Sequence, residues 1–376
     1  MSFAADDLTE DPEFLAALRL SLSSGIGPAK VQSLQAYFGS LAGALSATAS
    51  QLQGVSGIGP KVAKTIVRAN ELDIERELEH CRDFGIKILT RESDSFPELL
   101  KEIPDPPTLL FTKGEFLPCD ELAVAIVGTR HATHYGKKQA ERFGYELAKA
   151  GFTVVSGLAR GIDAAAHKGT LKANGRTIAF LGGGVSKIYP PEHVELADDV
   201  AKSGAIVSEA APLVSPIAGA FPQRNRLITG MSLGVVIIEA AVRSGALISA
   251  RMAMEQNREV FAIPGQIDNP VARGVNSLIR DGATLIQSVD DLIEQLGPLR
   301  QPLKVSEEQT VLIPSELKLN EQEQQVLQHI ELAPMSLDSL VSKSKLPVHR
   351  VLSTLSILEM KRLIVRTNGT TVQRTA

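Results

Sequence analysis

From about residue 83 the hydrophobic positions fall into short continuous runs. The runs Ile86–Leu89, Ala123–Val127, Thr153–Val155, Thr177–Leu181, Ala205–Val207, Val235–Ile238, Val260–Ile263 and Thr284–Ile286 predict strands covered on both faces. Between most of them lie amphipathic stretches such as "KKQAERFGYELAKAG" and "GALISARMAMEQN", which predict helices. Buried strands alternating with helices through short connections predict a parallel, doubly wound α/β sheet, a Rossmann-like core over residues 81–298.

The flanks have a different texture. Residues 1–80 predict short helices and contain a near-repeat, "SSGIGPAKVQSL" followed by "VSGIGPKVAKTI". Each copy places a Gly-apolar-Gly turn before a Pro at a helix start, where its missing N–H costs nothing. The pattern resembles the helix-hairpin-helix motif of SAM-like domains, in which the turn aims amides at a nucleic-acid phosphate. Lys30 and Lys61 stand in the first turns of the following helices as possible secondary DNA contacts. The same turn serves equally to pack one helix on another. Residues 299–315 predict a linker. Residues 316–376 predict three helices and a hairpin turning at Asn368-Gly369, the order of a winged helix. That segment holds 8 Lys/Arg against 6 Asp/Glu, thin for groove binding, and favours a protein contact or weak DNA contact.

Composition narrows the function classes. At 376 residues and 44% hydrophobic content the chain can build two or three domains with a large core. The formal net charge of -4 provides no global positive field, so an anion site must be local. Aromatic residues make up 4%, with no Trp, which argues against a surface built mainly from stacked aromatic platforms. Cys81 and Cys119 stand in unrelated contexts and form neither a metal-ligand spacing nor a disulfide framework. The acidic start "MSFAADDLTEDPEF" lacks an apolar signal core, and "LGVVIIEAAV" is too short to span a bilayer; a cytoplasmic chain with no membrane contact is the simple reading.

In an open parallel sheet ligands bind beyond the carboxyl ends of the strands. The unusual tracts of this chain all fall there. They are Gly128-Thr129-Arg130, then Ser156-Gly157 with Arg160, Gly161, Asp163 and His167, then Gly182 to Gly184 with Lys187 and Tyr189. Ser208 and Glu209 follow, with "FPQRNR" carrying Arg224 and Arg226. Glycines let backbone approach an anion, and arginine forks suit phosphate. Two guanidiniums flanking Asn225 repel each other unless an anion sits between them. A phosphate-binding rim is therefore expected. A dinucleotide fingerprint is absent, because Ser156-Gly157 stands where the acidic residue belongs. Gly128 and Gly136 have the wrong spacing for a P-loop, so neither a nicotinamide cofactor nor ATP is expected. His134 and His167 lack a paired metal spacing, and Asp163 reads as a helix cap.

The tracts "AIVGTR", "VVSGLARGIDAAAH", "SEAAP…FPQRNRLITGMSLGVVIIEAAVRSGALISA" and "VFAIPG…GVNSLIRDGA", in this order over about residues 80 to 290, resemble the DNA-processing protein A (DprA/Smf) family. The resemblance implies a bacterial recombination mediator of natural transformation and competence. Such a protein binds and protects incoming single-stranded DNA. It loads RecA past single-strand-binding protein and acts as a homodimer, with no enzymatic activity and no cofactor. Carried over by motif, Gly128, Thr129 and Arg130 would cradle a backbone phosphate. Ser156, Gly157 and Gly161 would line the same pocket, Arg224 and Arg226 would complete it, and Lys187 would stand on the rim. The chain departs from the pattern at Ser186-Lys187, where an Asp is usual, and at His193, where an Asn is usual. The spacing of "LVSPIAGAFPQRNR" is also its own. Two rival readings remain. A Rossmann-like nucleotide phosphoribohydrolase would use Glu209 or Glu239, although its Pro-Gly-Gly-x-Gly-Thr signature is missing. A DNA-binding scaffold would lack RecA loading.

Overall fold

The computed structural model describes residues 11–297, 303–304, 310–311, 313–367 and 370–375. The acidic start before Asp11, most of the 299–315 linker and the Asn368-Gly369 turn lie outside the described residues. The chain forms two compact units, Met1–Leu285 and Ile286–Ala376. Among the described residues no helix is long and apolar enough to cross a membrane.

The first unit begins with six helices: α1 (Pro12–Ser21), α2 (Pro28–Phe38), α3 (Leu41–Leu45), α4 (Ala49–Leu52), α5 (Pro60–Ala69) and α6 (Glu75–Asp83). The repeat becomes two matching hairpins. Gly25 and Gly57 take φ of 82° and 80°, a left-handed turn that a side chain would strain. Pro28 and Pro60 then open α2 and α5. The helices bury Leu18, Leu34, Ala63 and Ile66 in one cluster.

The nine-stranded sheet contains β1 (Lys87–Thr90), β2 (Leu109–Gly114), β3 (Ala123–Gly128), β4 (Thr153–Ser156), β5 (Thr177–Phe180), β6 (Ala205–Ser208), β7 (Gly234–Ile238), β8 (Glu259–Ala262) and β9 (Thr284–Leu285). Its order is β1-β2-β6-β5-β4-β3-β7-β8-β9. From β6 to β9 every pairing is parallel, and the chain reverses direction across the sheet between β3 and β7. The fully parallel expectation fails at one edge. The unpredicted β2 pairs antiparallel with both β1 and β6. Helices α7 (Glu98–Lys101), α8 (His134–Lys149), α9 (Ile162–Lys172), α10 (Val194–Ser203), α11 (Ala220–Gly230), α12 (Gly245–Glu255) and α13 (Arg273–Arg280) connect the strands. All residues of β4, β5, β6 and β7 are buried, which is why those runs read as continuous apolar segments.

The second unit carries a helix Val289–Gln295, a two-residue strand pair within the expected linker, and the winged helix. The latter has helices Glu321–Gln328, Leu337–Ser344 and Val348–Met360, with a core of Val326, Leu340, Val351, Leu355 and Leu358. A short strand, Met335–Ser336, adds to the predicted hairpin and makes its sheet three-stranded.

Candidate nucleic-acid interface

The "FPQRNR" tract is helical. It forms the first half of α11, with Pro222 in the first turn, where a proline is tolerated. Two residues apart on a helix, Arg224 and Arg226 point about 200° away from each other around the axis. Helix geometry separates the two forks. Arg226 turns to the carboxylate that follows β6. Its Nε lies 3.0 Å from Asp105 Oδ2 and its Nη2 2.5 Å from Glu209 Oε2. Its anion is thus a pair of protein carboxylates. Burial pushes the Glu209 carboxyl up from its ordinary value, and Arg226 pulls it back down.

Arg224 turns the other way, under the ends of β3, β4 and β5. It is buried, and its Nη1 donates to the Phe180 carbonyl at 2.7 Å. Burial lowers its pKa to about 10, while the neighbouring Asp163 supports the charge. Asp163, on the first turn of α9, is accordingly the counter-ion of Arg224, with a raised carboxyl pKa caused by burial. Arg224 lines a cleft of about 620 Å³ together with Gly128, Arg130, Tyr189, Phe221 and the start of α12. Its buried Nε has no hydrogen-bond partner.

Other expected residues shape the cleft without lining it. The Thr129 amide donates to the Glu239 carbonyl at 2.8 Å, so it serves the loop. Ser156 is buried and donates to the Ile126 carbonyl at 2.6 Å. Gly157 is a clearance, because a Cβ there would fall inside the Arg224 guanidinium. Gly161, at φ 80°, lets α9 start against the Thr129 and Arg130 carbonyls. Lys187 is exposed and stands outside the cleft. Lys30 folds back, its Nζ 2.5 Å from the Gly25 carbonyl, whereas Lys61 stays exposed at the start of α5. The two carboxylates of the phosphoribohydrolase reading are engaged elsewhere: Glu209 by Arg226, and Glu239 by the Thr133 amide and hydroxyl.

One feature had no local signal in the sequence. Arg130 stacks over the Phe221 ring, its guanidinium carbon 4.5 Å from the centroid. Phe221 lies 5.9 Å from Tyr189, and Arg160 covers Tyr189 at 5.7 Å. Arg160 is itself held by both oxygens of Glu192, at 2.5 and 2.9 Å. Two rings between two guanidiniums make a shelf along the cleft. The low aromatic content therefore conceals a concentrated patch.

The His167 side chain lies beneath this floor. Its Nδ1 is 2.7 Å from Thr177 Oγ1, and burial with Arg224 nearby depresses its pKa to about 3. With an unfolded value near 6.5, the unfolded chain binds the extra proton between those limits. The stability contribution is complete above about pH 6.5 and is lost as the pH falls toward about 3. His167→Gln should flatten the thermal-stability profile between pH 6.5 and 4 by up to about one proton, or ~1.4 kcal/mol per pH unit. An unchanged slope would place the imidazole in contact with water.

Comparison with known proteins fits this geometry. The family model described as DNA recombination-mediator protein A matches residues 87–297, which is more than half of the chain. The chain belongs to the DprA/Smf family. Two further models, the DprA winged helix domain and the SAM-like helix-hairpin-helix tandem, match residues 313–370 and 18–70. Among DprA/Smf relatives, Protein Smf of Synechocystis sp. is 34% identical, with 95% of this chain and 98% of the relative covered. DNA processing protein DprA of Bacillus subtilis is 43% identical over 59% of this chain and 75% of its own length. Of solved DprA structures, that of Streptococcus pneumoniae superposes with a TM-score of 0.65 at 32% identity, covering 79% of this chain and 99% of the other. DNA processing protein A from Helicobacter pylori, described for its single-stranded DNA binding mode, gives a TM-score of 0.51 at 32% identity, covering 57% and 96%.

Proposed function

We propose that this chain is a single-stranded DNA-binding recombination mediator. It holds a strand in the Arg224 cleft and hands it to RecA in the presence of single-strand-binding protein. The observation that carries this reading is the shelf. Bases stack on Phe221 and Tyr189, which are indifferent to sequence, while the exposed Arg130 meets the phosphates between them and the buried Arg224 adds positive charge beneath. Gly128 clears the Ile238 carbonyl and the Ile162 side chain, and with Ser156, Gly157 and Gly161 it preserves the floor. Lys187 and Lys61 are outlying contacts for a longer strand. The chemistry needed is binding, not bond cleavage. A homodimer would place two clefts on one particle and raise the effective concentration for a single strand. On the winged helix, Val348, Leu352 and Met360 are exposed along one helix face, which favours a protein contact for that domain over a DNA contact.

The test is oligothymidine binding across a salt series. Arg130→Ala should weaken binding about tenfold and reduce the log–log salt slope by about 0.7. The same protein should accelerate RecA assembly on strands coated with single-strand-binding protein. Wild-type affinity and slope in the variant would remove the cleft assignment. An unchanged RecA rate over a wide range of protein concentrations would leave a binding scaffold.

A further inference from the structure

A second cavity of about 430 Å³ opens at the carboxyl ends of β7 and β8. It lies next to the β3–β7 reversal, where open α/β sheets take ligands. Its floor is apolar, with Ile238, Ile263 and Val275, and its walls offer Tyr135, Gln266 and Asn269. The walls are held in place. The Asn276 side chain accepts from the Gly265 amide at 3.2 Å and donates to the Gly265 carbonyl at 3.0 Å. The Tyr135 hydroxyl donates to the Pro264 carbonyl at 3.2 Å. A pocket organised this way exists before any ligand enters, so little ordering cost is left for binding.

Glu239 is the one charged side chain among the described residues lining this cavity. It is buried and sits at φ 52°, a left-handed conformation rarely adopted by a non-glycine residue and found where a site requires it. Its carboxylate is fixed by the Thr133 amide at 2.8 Å and by the Thr133 hydroxyl. Gly136 makes the room, since a Cβ there would collide with the carboxylate. Each carboxylate oxygen keeps lone-pair capacity beyond these bonds. The Glu239 carbonyl also receives the Thr129 amide, so this cavity and the Arg130 loop share a hydrogen bond.

A fixed carboxylate with no cation in the lining repels phosphate and attracts hydrogen-bond donors. A flat, neutral group with donors on its edge fits this chemistry. We propose that the cavity receives an unstacked nucleobase from the strand whose phosphates lie on the adjacent rim. We further propose that it selects guanine, whose ring N–H and exocyclic amine can both face Glu239. Thymine offers a single ring N–H and two carbonyls that a carboxylate disfavours. This inference rests on the single-strand reading above and gives the otherwise sequence-indifferent cleft a local preference.

The test compares an all-thymidine dodecamer with the same dodecamer carrying one central guanine, both at fixed salt. The guanine strand should bind about tenfold tighter, the discrimination of a good bidentate base contact. Replacing that guanine with 6-thioguanine and irradiating should cross-link the strand to Tyr135 or to the peptide spanning residues 264–269. Gln266→Trp, a change at an exposed loop position that fills the mouth, should erase the preference and keep oligothymidine affinity. Equal affinity for the two strands, or cross-links confined to Tyr189 and Phe221, overturns the guanine pocket and leaves single-strand binding standing. Binding of neither strand overturns both.

Discussion

A single methyl group at position 157 is expected to cost about 1–3 kcal/mol of stability and to abolish strand binding. The Cβ of Gly157→Ala would fall within the space of the Arg224 guanidinium, whose Nη2 would lie only 2.6 Å from it. Arg224 has no alternative nearby at low cost. It is enclosed by the ends of β3, β4 and β5 and hydrogen-bonded to the Phe180 carbonyl. Driving it outward strands Asp163, a buried carboxylate that depends on that charge. Leaving one buried charge without its Coulombic neighbour is costlier than removing both charges. The combined change Gly157→Ala, Arg224→Ala, Asp163→Asn should therefore regain much of the lost thermal stability. Strand binding should stay lost, because the floor cation is gone. The measurement is melting temperature and oligothymidine affinity for both variants. A Gly157→Ala protein that melts with the wild type would show that Arg224 does not occupy this position.

That dependence of one glycine on a distant arginine marks the limit of what the sequence shows. The strands were readable because a sheet covered on both faces demands unbroken apolar runs, as in Val235–Ile238. Strand β2 escaped because its apolar run, Leu109–Phe111, follows Pro106-Pro107 and gives way to Thr-Lys-Gly, of which Lys113 is exposed. The helical hairpins and the winged helix were legible from turn residues, whose conformational demands are local. The rim was legible as a set of glycines and arginines at strand ends, but not in its wiring. Arg224 and Arg226 look equivalent in one dimension. Only the phase of α11 sends one to Asp163 and the other to Asp105 and Glu209. Phe221 and Tyr189 are far apart in the chain and meet through the packing of two connections, so no spacing could have paired them.

The same two rings carry the second large effect. Phe221→Ala and Tyr189→Ala should each weaken oligothymidine binding between about 5- and about 100-fold, the range for losing one base–aromatic stack. The salt dependence separates these losses from those at Arg130. Stacking releases no counterions, so Tyr189→Ala should lower affinity at every salt concentration and keep the wild-type slope. Phe221→Ala is less clean. Its ring also seats Arg130, and that guanidinium gains wider freedom when the ring is removed. A small fall in slope should accompany its larger loss of affinity. Phe221→Leu keeps much of the volume without the π face and should resemble Ala in affinity, whereas Tyr189→Phe should resemble the wild type. An oligonucleotide with abasic sites supplies the decisive comparison. It retains its phosphates but has no bases to stack, so it should bind the wild type and the Tyr189→Ala variant alike. If Tyr189→Ala weakens the abasic strand as much as the thymidine strand, the shelf acts on the backbone, and base stacking is not what holds the strand in this cleft.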